Sequence, residues 1–168
     1  FERVPHLVLA REAAALVYPL WLLRLSLATY RLIRVVRVGT VYSGTAVATR
    51  GITAGSGFAT TDLRVMLMRI VDRASLMHPS ITPTLFVDDI SAEGTGTVEH
   101  VTANVVAFTV VICEALIDDG MELCDKKCMC TASSDKLGAL IAAGLSKYRI
   151  KYTKYVKSLG VGLGAGVR

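Results

Sequence analysis

Thr84-Leu85-Phe86-Val87-Asp88-Asp89 is an apolar run that stops at two adjacent carboxylates, after which the chain turns back through Ile90, Ser91 and Ala92. Leu85, Phe86 and Val87 have high β propensity and read as a strand buried on at least one face. Successive strand residues point to opposite faces, so Asp88 and Asp89 do not both look into one apolar layer. Burying either charge unpaired costs several kcal/mol. Two arrangements avoid that cost. The acids face water at an ordinary hairpin tip, where Asp is common; or the tip holds hard cations. Oxygen ligands at the end of a rigid strand suit Mg²⁺, which keeps several waters and takes one or two carboxylates plus substrate phosphates.

Upstream, Arg50 to Thr61 reads RGITAGSGFATT, a glycine-spaced turn running into a helical pattern that places Leu63, Met66, Leu67, Ile70 and Ala74 on one face. The glycine loop, its helix and the FVDD hairpin together resemble the palm domain of reverse transcriptases, particularly those of non-LTR retrotransposons. Gly51, Ile52, Gly55 and Ser56 fit that family's G-[IV]-x-Q-G-S pattern, and Phe86, Asp88 and Asp89 fit its [YF]-x-D-D strand end. Further blocks follow in order. Gly120 to Cys128, GMELCDKKC, is similar to G-L-x-L-N-x-x-K-[ST] and sets Lys127 on the family lysine. Val156 to Gly160, VKSLG, resembles the next hairpin, and Phe1 to His6, FERVPH, the tail of the first block, D-x-x-x-A-F-[DE]-x-V-x-H.

The resemblance implies an α/β (α+β) polymerase palm, an antiparallel sheet with helices packed on one face, belonging to a right-hand polymerase whose fingers and thumb lie in the parent chain. Residues 1–50 would hold the first-motif tail, helices and a hairpin, 51–131 the core palm motifs, and 132–168 the palm-to-thumb region. The implied activity is RNA-directed DNA synthesis, with an RNA template, a DNA primer and deoxynucleoside triphosphates as partners and two Mg²⁺ (or Mn²⁺) ions as cofactors. Asp88 and Asp89 carry over as metal ligands, completed by an aspartate that the family places just before Phe1. Gly55, Ser56 and Phe86 carry over to the nucleotide site, and Lys127 to the phosphates, where it would stabilise charge on the leaving pyrophosphate. One departure bears on activity: Ala54 stands where the family has Gln, and alanine makes none of the amide's polar contacts. The alternative is a catalytically dead retroelement remnant that at most binds nucleic acid.

Composition fits a piece of a larger globular protein. Hydrophobic residues make up 52% of the chain, which raises the question of membrane segments. Ala13 to Leu23 is too short to span and contains Pro19, and Val98 to Ile117 is interrupted by Glu99, His100, Asn104 and Glu114. A buried amphipathic helix is the expectation for the second stretch, and no membrane partner is expected. Phe1 opens no readable signal peptide. Cys113, Cys124, Cys128 and Cys130 lack the two spaced pairs of a zinc site and read as buried free thiols, in keeping with an intracellular protein, nuclear or cytoplasmic and not secreted.

The remaining elements follow from pattern. Helices are expected over Leu7–Leu16, Trp21 to about Arg34, Phe58 to about His78, Thr97 to about Ile117, and Asp135–Lys147, with a hairpin over Val35–Arg50 around Gly39 and Gly44. Asp118 and Asp119 read as solvated acids in a surface turn. From Lys147, basic and aromatic residues alternate: Lys147, Arg149, Lys151, Lys154 and Lys157 with Tyr148, Tyr152 and Tyr155. In a strand this gives one basic face, suited to track phosphates, and one aromatic face. The net charge of +5 agrees with a nucleic-acid partner.

Overall fold

In the computed structural model, residues 2–53, 55–124, 126–158 and 161–164 are described, with side chains through 156. The architecture is α+β and divides into two compact units. The first comprises Phe1–Ile70, Phe86–Asp89 and Asp119–Met121; the second comprises Val71–Leu85, Ile90–Asp118 and Glu122–Arg168.

In the first unit, α1 (His6–Ala15) and α2 (Leu20–Tyr30) each start behind a proline, Pro5 and Pro19. Proline suits a helix start because an N–H there has no partner to lose. The sequence places the end of α2 near Arg34, but the helix stops at Tyr30. Beyond it Ile33, Val35 and Val36 favour extended backbone, and Arg34 bridges antiparallel to Ala46, with both backbone hydrogen bonds at 2.9 Å. The hairpin follows as β1 (Arg37–Val38) and β2 (Val41–Tyr42), paired Arg37↔Tyr42 and turned at Gly39. α3 (Ala59–Met77), in the first unit through Ile70 and in the second from Val71, buries the face read from its periodicity: Leu63, Met66, Leu67, Ile70 and Ala74 are all buried. Val4, Leu9, Ala13, Leu23, Tyr30 and Ile52 complete the apolar interior of the first unit.

β3 (Ile81–Phe86) pairs with β4 (Asp89–Gly94), all but its tip Phe86–Asp89 belonging to the second unit, and burial alternates along both strands. The covered face lies on α4 (Val98–Asp118), where Gly94 sits against Ile81, Val101 and Val105. Any side chain at Gly94 would meet Ile81 and Val105 at 3.0 Å. α4 is long and apolar enough, by length and composition, to cross a membrane. It buries Val101, Phe108, Ile112 and Cys113. Val101 and Cys113 join Leu137, Ile141, Leu145 and Tyr148 in one cluster.

Downstream, β5 (Met129–Cys130) pairs in parallel with β6 (Lys151–Tyr152), and α5 (Asp135–Gly144) starts at Ser134, whose Oγ accepts from Leu137 N. A 3₁₀ turn over Ser146–Tyr148 and a left-handed Arg149 (φ 57°) lead to β6; β7 (Tyr155–Ser158) then pairs antiparallel with β8 (Val161–Gly164).

Two expectations need correction here. The described strands form four separate two-stranded sheets, one of them parallel, and not a continuous antiparallel sheet. β1, β2, β5 and β6 are only two residues long, and β1 and β2 are exposed throughout, so no shared apolar face draws them into one layer. Residues 147–157 likewise do not form one alternating strand, because the 3₁₀ turn and the left-handed Arg149 break the two-residue period.

Candidate functional site

The hairpin tip is a two-residue turn, Val87-Asp88, between Phe86 and Asp89. Val87 has φ 56° and Asp88 keeps the ordinary sign. Positive φ at the first turn position fits the II′ class, where glycine is the usual occupant. A β-branched residue there stores roughly 1–2 kcal/mol of backbone strain. Asp88, in the turn, and Asp89, at the start of β4, are both exposed, so neither pays the cost of unpaired burial. Phe86 is 54% exposed beside them.

The glycine loop is anchored to the N-terminal segment by backbone. Gly51 N donates to Val4 O at 2.8 Å, His6 Nε2 donates to Gly51 O at 2.8 Å, and Pro5 bridges to Arg50. Gly51 has φ 93°, and a Cβ on it would stand 3.1 Å from Glu2 O, so both conformation and space require glycine. Gly55 also lies in the left-handed region, at φ 85°, whereas Gly57 does not use that freedom. Ala54 lies outside the described residues. The segment Val4–His6, the loop and the tip Phe86–Asp89 all belong to the first unit.

Beneath the loop lies a polar cluster that the motif reading missed. Asp62, in the first turn of α3, is 0% exposed, and Tyr30, also fully buried, donates its phenol to Asp62 Oδ2 at 2.8 Å. The same phenol lies 3.5 Å from Ser56 Oγ, which accepts from Phe58 N at 3.4 Å. Ser56 is therefore tied to a buried tyrosine and a buried carboxylate. Burial pushes the Tyr30 and Tyr18 phenols up, with the Asp62 charge adding to both. A sequence signal was present: no acid occurs between Glu12 and Asp62, so the first one after that gap opens a helix.

A second buried acid, Glu12, accepts from Arg11 Nε at 2.8 Å and Arg69 at 3.0 Å, and Arg11 also reaches Asp119 at 2.6 Å. Asp119 is thus paired and not simply solvated, as the sequence suggested; the hydrogen bond to it is the main cause of the raised Arg11 pKa.

Lys127 and the basic segment belong to the second unit. Lys127 is exposed in a turn, its N–H bonded to Cys124 O at 2.8 Å. Lys147 pairs with Glu114 at 3.0 Å and Lys154 with Asp135 at 3.0 Å. Tyr148 and Tyr152 donate to those same carboxylates at 2.9 and 2.7 Å. These partners hold Glu114 and Asp135 below the usual carboxylate range, Glu114 mainly through Lys147 and Asp135 mainly through Tyr152. Arg149 and Lys151 are exposed. Lys157 lies in β7, with its side chain outside the described residues, as are Leu159 and Gly160 of the expected Leu-Gly pair.

None of the four cysteines is in a disulfide, and of the four only Cys113 is buried, which pushes its thiol up to about 11. Cys124 is exposed, contrary to the expectation of buried thiols; its loop backbone carries the turn at Lys127 and Cys128. Among the described residues no group of three His, Cys, Asp or Glu side chains could hold a metal. Asp88 and Asp89 offer two exposed carboxylates, and one or two carboxylates beside several waters is the protein share of a usual Mg²⁺ shell. Compared with protein-family models, curated proteins and solved structures, the chain matches none.

Proposed function

We propose that the chain is a reverse transcriptase palm segment of the non-LTR retrotransposon type, whose parent enzyme extends a DNA primer on an RNA template. The observation that carries this reading is the exposed two-carboxylate tip at Val87-Asp88-Asp89, in the same compact unit as the Val4–His6 segment and the glycine loop that bonds to it. Those are three of the sequence blocks on which the resemblance rests.

In the parent reaction the primer 3′ hydroxyl attacks the α-phosphorus of a deoxynucleoside triphosphate and expels pyrophosphate. Divalent cations, when bound, supply Lewis-acid activation of the attacking oxygen and neutralise charge on the leaving one. Asp88 and Asp89 are the residues of this chain that would hold them. Exposure at the tip leaves room for water and phosphate oxygens in the same shell. Gly55 lets the loop backbone approach a nucleotide closely, Ser56 offers a hydroxyl fixed by Tyr30, and Phe86 offers an apolar face. Lys127 is the cation assigned to the phosphates.

The alternative, a remnant that only binds nucleic acid, draws on Ala54 in place of glutamine. Primer extension separates the two. The full reading-frame product containing residues 1–168 is assayed on an RNA template with Mg²⁺ or Mn²⁺, beside the same protein carrying Asp88→Ala. Extension that disappears in the variant supports the polymerase with Asp88 at its metal site. Folded protein that binds RNA yet extends nothing with either metal leaves the remnant.

A further inference from the structure

We propose that the buried Asp62 carboxylate, with the hydroxyls of Tyr18 and Ser26, forms a site for one dehydrated monovalent cation, K⁺ or Na⁺, beneath the glycine loop. Hydrogen bonding comes first. Asp62 is fully buried, and the Tyr30 phenol satisfies Oδ2 at 2.8 Å, but Oδ1 has no hydrogen-bond partner. The Tyr18 hydroxyl and Ser26 Oγ are buried without partners as well. Ser26 stands one helical turn before Tyr30 on α2, on the face over which the Tyr30 side chain lies as it reaches Asp62, and Tyr18 feels the Asp62 charge. Three orphaned oxygens around one carboxylate are an oxygen-only donor set, the kind that hard cations take.

Charge decides the class of ligand. Among the described residues no Lys, Arg or His pairs with Asp62. Arg34, which approaches the same region, bonds instead to Tyr30 O at 3.1 Å and Thr53 Oγ1 at 3.3 Å. The first turn of α3 favours a negative charge there but offsets only part of the cost of burying it. One water would satisfy the orphaned oxygens and leave that charge standing. A divalent ion would leave an excess positive charge, and the further carboxylates or imidazoles it draws on are not grouped here among the described residues. A single positive charge balances Asp62.

The proposal does not depend on polymerase activity, and its test uses folding as readout. Thermal unfolding of the full chain is followed at one fixed ionic strength in potassium, sodium and choline chloride. A bound cation raises the midpoint by roughly 3–6 °C in one or both metal salts relative to choline. Asp62→Asn, which keeps the Tyr30 hydrogen bond, abolishes the difference. Should that variant not fold, Tyr18→Phe and Ser26→Ala keep the carboxylate and shift the half-saturating cation concentration upward by about tenfold, the loss of one hydroxyl ligand. Equal midpoints in all three salts would overturn the site, with a proton or a water as the occupant. So would a metal-salt response that survives in a folded Asp62→Asn protein or is unmoved by both hydroxyl deletions.

Discussion

Val87 stands at the one turn position of the FVDD hairpin where glycine is the natural occupant, and its β-branched side chain holds a φ of 56°. Nothing in the local pattern favours that choice, since two-residue hairpins select Gly, Asn or Asp at positive φ. Strain of this kind persists where the surroundings over-determine it, which includes ligand sites. Replacing Val87 by glycine relieves roughly 1–2 kcal/mol of strain and gives back about 0.5–1 kcal/mol in unfolded-state entropy. Val87→Gly is therefore expected to stabilise the protein by about 0.5–1 kcal/mol, read as a higher urea midpoint at unchanged slope. A destabilised variant would mean that the half-buried Val87 side chain contributes more than its backbone costs. The two acids were legible from sequence because an apolar run ending in paired carboxylates has few explanations. The buried Asp62 was not, because a lone Asp in a first helical turn is an ordinary feature until Tyr30, thirty-two positions upstream, is seen to cover it.

At the scale of elements, the long helices were readable and the short strands were not. α3 and α4 carry enough turns for their apolar period to stand out, and their ends fall where His78-Pro79 and Thr97 put them. β5 and β6 have two residues each, which is below the length at which alternation means anything. They are held by what packs on them. The Tyr152 ring lies directly on Gly138 of α5, in the place a Cβ would occupy, while its hydroxyl bonds Asp135 at 2.7 Å. Gly138→Ala gains up to about 1 kcal/mol of helix propensity but drives the methyl into that ring, an overpacking cost of roughly 1–3 kcal/mol. Net destabilisation is expected. Faster amide exchange should appear at Thr153, whose N–H bonds Cys130 O at 2.9 Å across β5 and β6. A variant as stable as the parent, with Thr153 still protected, would show that β6 is fixed by its backbone bonds and not by the packing of Tyr152 on Gly138.

For the whole molecule the question is where a net charge of +5 is available to a polyanion. The sequence pointed to Lys147–Lys157 because basic residues are densest there, yet density is not net charge. Lys147 and Lys154 are matched by Glu114 and Asp135, brought from elsewhere in the chain by the fold, which no local window reveals. Between Ala13 and Thr61 the opposite holds: five arginines and no acid, with Arg24, Arg31, Arg34, Arg37 and Arg50 all exposed. Arg34, Arg37 and Arg50 already bond to backbone carbonyls, which leaves Arg24 and Arg31 as the ones to change with least damage. Exposed pairs such as Lys147–Glu114 are worth little in stability, but each neutralises one positive charge locally. If the parent protein binds RNA electrostatically, Arg24→Ala with Arg31→Ala should flatten the dependence of log affinity on log salt by about 0.7 for each phosphate that is no longer neutralised. Lys147→Ala with Lys154→Ala, which strips charges already balanced, should flatten it by less. Filter-binding titrations over a range of KCl concentrations give both slopes. The reverse order would return the phosphate track to the Lys147–Lys157 segment, with its ion pairs opening when RNA binds.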